Sequence, residues 1–175
     1  MVNRSRVWPI LLLAFLGLAC LKDTGSRIIV DPQKLIDSSV QGKSPYRLTA
    51  LVFCRIDRPV FRTHIIPGYV KLHMKYAKDD KLWKKQKDFA VNFVFMDQDT
   101  SKVNTYLDQS WPDLPLRVTL DNELKATRHY EVPMYEVLFI DEKGQIKMRL
   151  GLLARDNVEY LEPYIEQMLS KAPLK

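Results

Sequence analysis

Residues 114–151 read LPLRVTLDNELKATRHYEVPMYEVLFIDEKGQIKMRLG, and the alternation of short apolar runs with turn chemistry in this stretch decides the fold. Residues 116–120, LRVTL, are apolar and β-branched enough for a short strand, after which Asp121 can cap a small helix running through Tyr130. Residues 135–140, YEVLFI, form the next strand. The DEKG at residues 141–144 reads as a hairpin turn, with glycine where a positive φ is tolerated, so residues 145–150 return as an antiparallel partner.

The same reading extends toward both ends. A strand is predicted over 48–56, a helix near 65–77, a strand over 89–96, and a helix opened by Asp99 or Thr100 and ending near Gln109. The runs ALVF (50–53) and VNFVFM (91–96) suit central strands covered on both faces. Near the C-terminus, Asp156 with Glu159 three residues on is similar to a capping box. Leu161, Tyr164, Ile165, Met168 and Leu169 fall on one helical stripe, and Pro163 predicts a kink or a late start. The order β-α-β-α-β-α-β-β-α argues for an α/β sheet flanked by helices, and the closing hairpin makes that sheet mixed.

Composition agrees. With 46% hydrophobic and 27% charged residues in 175, the chain suits one domain with a real core, which excludes a disordered or collagen-like polymer. Residues 1–19 read as a signal peptide: Arg4 and Arg6 precede an apolar run over 7–18, shorter than the roughly 20 residues of a membrane span. The run closes on LGLAC, which resembles the bacterial lipobox, with Gly17 where that pattern places leucine. Lipid on Cys20 would hold the protein on a membrane outside the cytoplasm; a plain signal peptide or an uncleaved anchor is the alternative. Residues 20–45 then form a tether with room for one added edge strand near 28–30, and 46–175 form the domain.

If Cys20 carries lipid, Cys54 is the only remaining thiol and no internal disulfide is possible. The formal charge of +6 includes Arg4 and Arg6; from Cys20 onward 25 basic residues face 21 acidic ones, which leaves +4. The excess lies between residues 71 and 87, where seven lysines surround Tyr76 and Trp83. That segment is a solvated helix face or a contact for anionic lipid headgroups. Nucleic acid is not the expected partner of an exported chain.

Residues 89–99, FAVNFVFMDQD, together with 114–151 resemble the second half of a thioredoxin-like domain of the TlpA and ResA type. These are membrane-tethered thiol-disulfide oxidoreductases, related to the peroxiredoxins of the AhpC/TSA superfamily. Leu120-Asp121, Tyr130, Val132-Pro133, Phe139-Ile140-Asp141, Gly144, Ile146 and Gly151 stand in the family's order and spacing, and the resemblance covers about residues 46–170. It implies a thioredoxin-like mixed sheet, a cis peptide bond before Pro133, and a W-C-x-x-C pair at the turn after the first core strand. In this chain the pair falls on Pro59 and Arg62 if Pro67 is the family's helix proline, or on Arg58 and Phe61 if Phe53 is its strand phenylalanine. Both registers lack cysteine. The peroxiredoxin pattern P-x-x-x-T-x-x-C, begun at Pro45 and Thr49, puts Val52 at its cysteine.

Cys54 precedes those positions by four or five residues, on the strand among Val52, Phe53 and Ile56. Desolvation there raises a thiol pKa, whereas a reactive thiol needs it lowered from about 8.5. Three functions stay open. The first is a lipid-anchored envelope protein with a redox-inactive domain acting as a binding or assembly module. Its groove, between the loop carrying Arg58, Pro59, Phe61 and Arg62 and Pro133, would present cations and aromatics to an extended or acidic protein partner. The second is a thiol-disulfide oxidoreductase or peroxidase using Cys54 alone. The third is a metal or heme carrier drawing on His64, His73 and His129, residues better explained as surface histidines. No cofactor is implied, and phosphate loops, nucleophilic-serine motifs and zinc-type cysteine spacings are absent.

Overall fold

The computed structural model describes residues 27–42, 44, 46–77, 87–133, 135–151 and 158–170. Cys20, Asp156 and the lysines between 78 and 86 lie outside the described residues. Among the described residues six strands form one mixed sheet: β1 (Ile28–Ile29), β2 (Tyr46–Cys54), β3 (Lys87–Phe95), β4 (Arg117–Leu120), β5 (Glu136–Asp141) and β6 (Ile146–Gly151). Their spatial order is β1-β4-β3-β2-β5-β6. Pairing is parallel between β1 and β4, β4 and β3, and β3 and β2, and antiparallel from β2 to β5 and β5 to β6. The helices are α1 (Pro32–Val40), α2 (Ile66–Ala77), α3 (Thr100–Ser110), α4 (Lys125–His129) and α5 (Glu162–Ser170).

Alternation along β2 fills two cores. Leu48, Ala50, Val52 and Cys54 face one layer with Ile65 and Val70, with Val103 and Leu107 of α3, and with Ile165 of α5. Leu51 and Phe53 face the other, with Leu35 of α1 and Ala126 of α4. This two-sided burial is why ALVF and VNFVFM carry no polar alternation beyond Asn92, whose amide donates to Thr119 Oγ1 across the sheet at 3.2 Å.

Three features depart from the sequence reading. The segment read as a tether contains two elements: β1 supplies the edge strand expected there, and α1 adds a helix that was not expected. Asp31 caps α1 by accepting from Gln33 N and Lys34 N, with Pro32 at the first helical position, so Asp31-Pro32 starts a helix inside the segment read as a tether. The helix after β2 begins earlier than residue 65, because a π turn over Phe61–Ile65 precedes α2 and Ile66 N donates to Phe61 O. Pro67 has no N–H and its ring crowds the carbonyl four residues back, which widens that turn. At the C-terminal end a 3₁₀ turn, Glu159–Leu161, leads into α5 with Pro163 as its second residue, the late start expected. Leu161 and Ile165 are buried there, but Tyr164 leaves the stripe and is 52% exposed.

The 141–144 turn forms as read. Gly144 has φ +79, and a Cβ there would lie 1.8 Å from Ser39 O, so the hairpin fits against the end of α1 only with glycine. Among the described residues no helix is long and apolar enough to cross a membrane.

Candidate functional site

The loops that leave the carboxyl ends of the parallel strands β2, β3 and β4 converge with the segment entering β5, the place where open α/β sheets present ligand sites. They enclose a groove of about 690 Å³. Arg55, Arg58, Val60 and Phe61 form the wall that follows β2, and Met96 and Gln98 come from the end of β3. Asn122, Leu124 and Thr127 form the α4 wall, and Val132, Pro133 and Tyr135 close the groove before β5.

Local chemistry fixes each wall. Phe61 is wholly buried and meets Tyr135 edge to face, with centroids 4.6 Å apart. Asp121, also wholly buried, accepts from Ala126 N at 3.0 Å, Thr127 N at 2.8 Å and Thr127 Oγ1 at 2.7 Å. This carboxylate therefore anchors the start of α4, as the sequence reading expected of Asp121. Leu124 sits at φ 56 and Glu131 at φ 52, the two non-glycine residues with positive φ among those described. Each conformation costs roughly 1–2 kcal/mol; Leu124 lines the groove, and Glu131 immediately precedes Val132 and Pro133, which do. Leu124 is 38% exposed, so an apolar side chain is presented at the groove and not withdrawn into the core.

A second cavity of about 660 Å³ lies across Arg55 and Gln98, which line both. Arg62, Asp97, Lys102 and Tyr106 are among its other residues. The π turn carries Arg62 to this side, where Tyr106 Oη donates to Arg62 O at 3.2 Å. Arg58 and Arg62, expected together in one groove, are thus divided between two.

No family model and no curated protein matches the chain. Solved structures do. The Chlorobium tepidum protein named as thiol:disulfide interchange protein DsbE matches at TM-score 0.58 and 22% identity, over 77% of this chain and 84% of its own. The Neisseria meningitidis protein named as a thioredoxin matches at TM-score 0.58 and 15% identity, over 79% and 83%. A thioredoxin-like protein from Parabacteroides distasonis matches at TM-score 0.50 and 17% identity, over 71% and 83%. The fold is thioredoxin-like.

In this thioredoxin-like sheet the sequence-predicted residues are distributed as follows. Arg58, Pro59 and Arg62 are exposed, and Phe61 is buried. Pro133 lines the groove, but no cis peptide bond occurs among the described residues, so the bond before Pro133 is trans and the expectation of a cis bond is corrected. An X-Pro bond favours trans by about 0.5–1 kcal/mol, and Glu131 at φ 52 ends α4, with Val132 N donating to Thr127 O at 3.0 Å. His64 is exposed with Nδ1 2.6 Å from Thr63 Oγ1, and no group of three or more potential metal ligands occurs among the described residues. His73 is not a surface histidine. It is largely withdrawn from solvent, Nδ1 has no partner, and burial, with Arg117 second, pushes its pKa down.

Cys54 ends β2 with no solvent exposure, opposite Phe95 in β3. Burial pushes its pKa well above the ordinary thiol value, and the nearby Asp97 carboxylate adds to the shift. A thiol so placed is a small apolar core group. Cys54→Ser, which puts a hydroxyl among apolar strands, should destabilise by about 1–3 kcal/mol, and Cys54→Ala by less. Denaturant midpoints of the two variants check this order.

Sequence reasoning missed Asp97, which is 6% exposed and accepts Ile56 N at 3.2 and 3.1 Å through its two oxygens. It ties the start of the β2–α2 loop to the end of β3. Burial pushes its pKa up, opposed by the Ile56 hydrogen bond. Folded Asp97 therefore holds its proton to higher pH than the unfolded chain does. The resulting contribution is fully present below the unfolded pKa of about 3.9 and is lost as pH rises through the folded value. Asp97→Asn keeps an acceptor for Ile56 N but cannot titrate, so its stability relative to the parent should increase as pH rises from about 3.9 toward neutrality. Urea midpoints across that range test this, and a difference independent of pH would contradict it.

Proposed function

We propose that this chain is a lipid-anchored protein of the cell envelope whose thioredoxin-like domain binds an extended segment of a partner protein in the groove beside Pro133, without thiol-disulfide exchange. The observation that carries the proposal is the pairing of an open groove with a thiol that does not reach it: Phe61 and Arg58 stand at the groove wall, and Cys54 is wholly buried in the core. Of the two registers for the family's cysteine pair, Arg58 and Phe61 both line the groove, whereas Pro59 and Arg62 do not. Placement outside the cytoplasm and lipid on Cys20 rest on the first twenty residues, ending LGLAC.

The thiol assay uses the full chain with Cys20→Ala, so that Cys54 is the sole thiol, and the crosslinking uses the chain with Cys20 retained, so that the anchor is kept. Insulin reduction by dithiothreitol should proceed no faster with the protein than without it. A photo-crosslinking residue at Tyr135 should give a discrete adduct in the native envelope, and one at the exposed Lys143 none. Insulin reduction accelerated by the protein and abolished by Cys54→Ala would return Cys54 to a catalytic role.

A further inference from the structure

The groove beside Pro133 has a one-sided charge. Among the described residues its lining contains two arginines, Arg55 and Arg58, and no carboxylate. Arg58 is exposed and makes no ion pair among the described residues. Arg55 is engaged by Asp57, Nη2 binding Asp57 Oδ2 at 2.6 Å, and its Nε is buried, which leaves Arg58 as the exposed cation of the groove. Asp57 lines the neighbouring cavity and not this groove. Across from the arginines the wall carries four apolar residues, Leu124, Val132, Pro133 and Tyr135, beside the uncharged polar Asn122 and Thr127.

We propose that the groove selects an extended peptide segment in which an acidic side chain adjoins an apolar one, the carboxylate taken by Arg58 and the apolar side chain by Leu124 and Tyr135. The proposal deepens the binding function given above and rests on it. An ionised carboxylate satisfies guanidinium donors with charge-assisted hydrogen bonds. A lysine at the same place would meet two like charges, and a neutral amide would leave the charge of Arg58 uncompensated. The exposed Leu124, held in a strained conformation, gains burial when an apolar side chain covers it.

A random-peptide display library selected on the full chain tests this directly. The peptides enriched should carry Asp or Glu beside an aliphatic or aromatic residue. A synthetic copy of the strongest should bind Arg58→Glu at least about tenfold more weakly, and should lose affinity as salt is raised. Arg58 is exposed, and circular dichroism with a denaturant midpoint equal to the parent's shows that the variant is folded. Enrichment without acidic bias, or unchanged binding by Arg58→Glu, overturns the acidic specificity and leaves the binding function standing. A library that enriches nothing on the parent beyond what it enriches on Leu124→Asp overturns the binding function itself, and the specificity with it.

Discussion

Phe61→Ala should destabilise the domain by about 3–5 kcal/mol, the usual cost of truncating a fully buried aromatic. Phe61 has no solvent exposure and its ring meets Tyr135 at 4.6 Å, so the substitution removes both transfer energy and an edge-to-face contact. The resulting cavity opens beneath the groove wall. Relaxation is restricted because the residue lies in the π turn, whose backbone is held by Ile66 N donating to Phe61 O. Phe61→Leu, which retains most of the apolar volume, should recover more than half of the loss. Urea midpoints for the parent and the two variants give both numbers, and a Phe61→Ala cost below about 1 kcal/mol would mean that the aromatic is not part of the core.

Asp121→Ala should cost about 2–4 kcal/mol, because three donors, Ala126 N, Thr127 N and Thr127 Oγ1, lose one buried acceptor group. The damage should be local before it is global. α4 is only five residues long, and its start is held by this carboxylate, not by a side-chain cap at Leu124. Hydrogen exchange should therefore accelerate at Ala126 and Thr127 in Asp121→Ala while the amides of β2 and β3 stay protected. Asp121→Asn retains one acceptor oxygen and should fall between the parent and the alanine variant. The functional consequence follows from position: Leu124, on the same loop, would no longer be held toward the groove.

The central strands were legible because burial on both faces leaves a plain signature, uninterrupted apolar runs such as ALVF, and because the DEKG turn has one low-energy use. The helix α1 was not legible. It buries one residue, Leu35, and its start, Asp31-Pro32, is equally good turn chemistry until the side chain is seen to accept from Gln33 N and Lys34 N. The position of Arg62 was also hidden. An ordinary first turn would keep Arg58 and Arg62 near one surface, whereas the π turn forced ahead of Pro67 directs them to separate cavities. Arg58, Phe61 and Pro133 were found through a family pattern, and all three line the groove. The trans bond before Pro133 departs from that pattern. Leu124 gave a faint signal, an apolar residue inside the polar turn DNELK, and only exposure on the folded surface gives it meaning.

Thiol accessibility in the native state tests most directly the claim that this thioredoxin-like domain works without thiol chemistry. With Cys20→Ala, the full chain contains one sulfhydryl, Cys54. Mixed with an aromatic disulfide reagent at neutral pH, it should react completely in denaturant, and under native conditions only as fast as the chain opens globally, because the thiol is wholly buried and its pKa is raised. Native labelling at the rate of a free or activated thiol would contradict the account and make Cys54 the reactive centre of the protein.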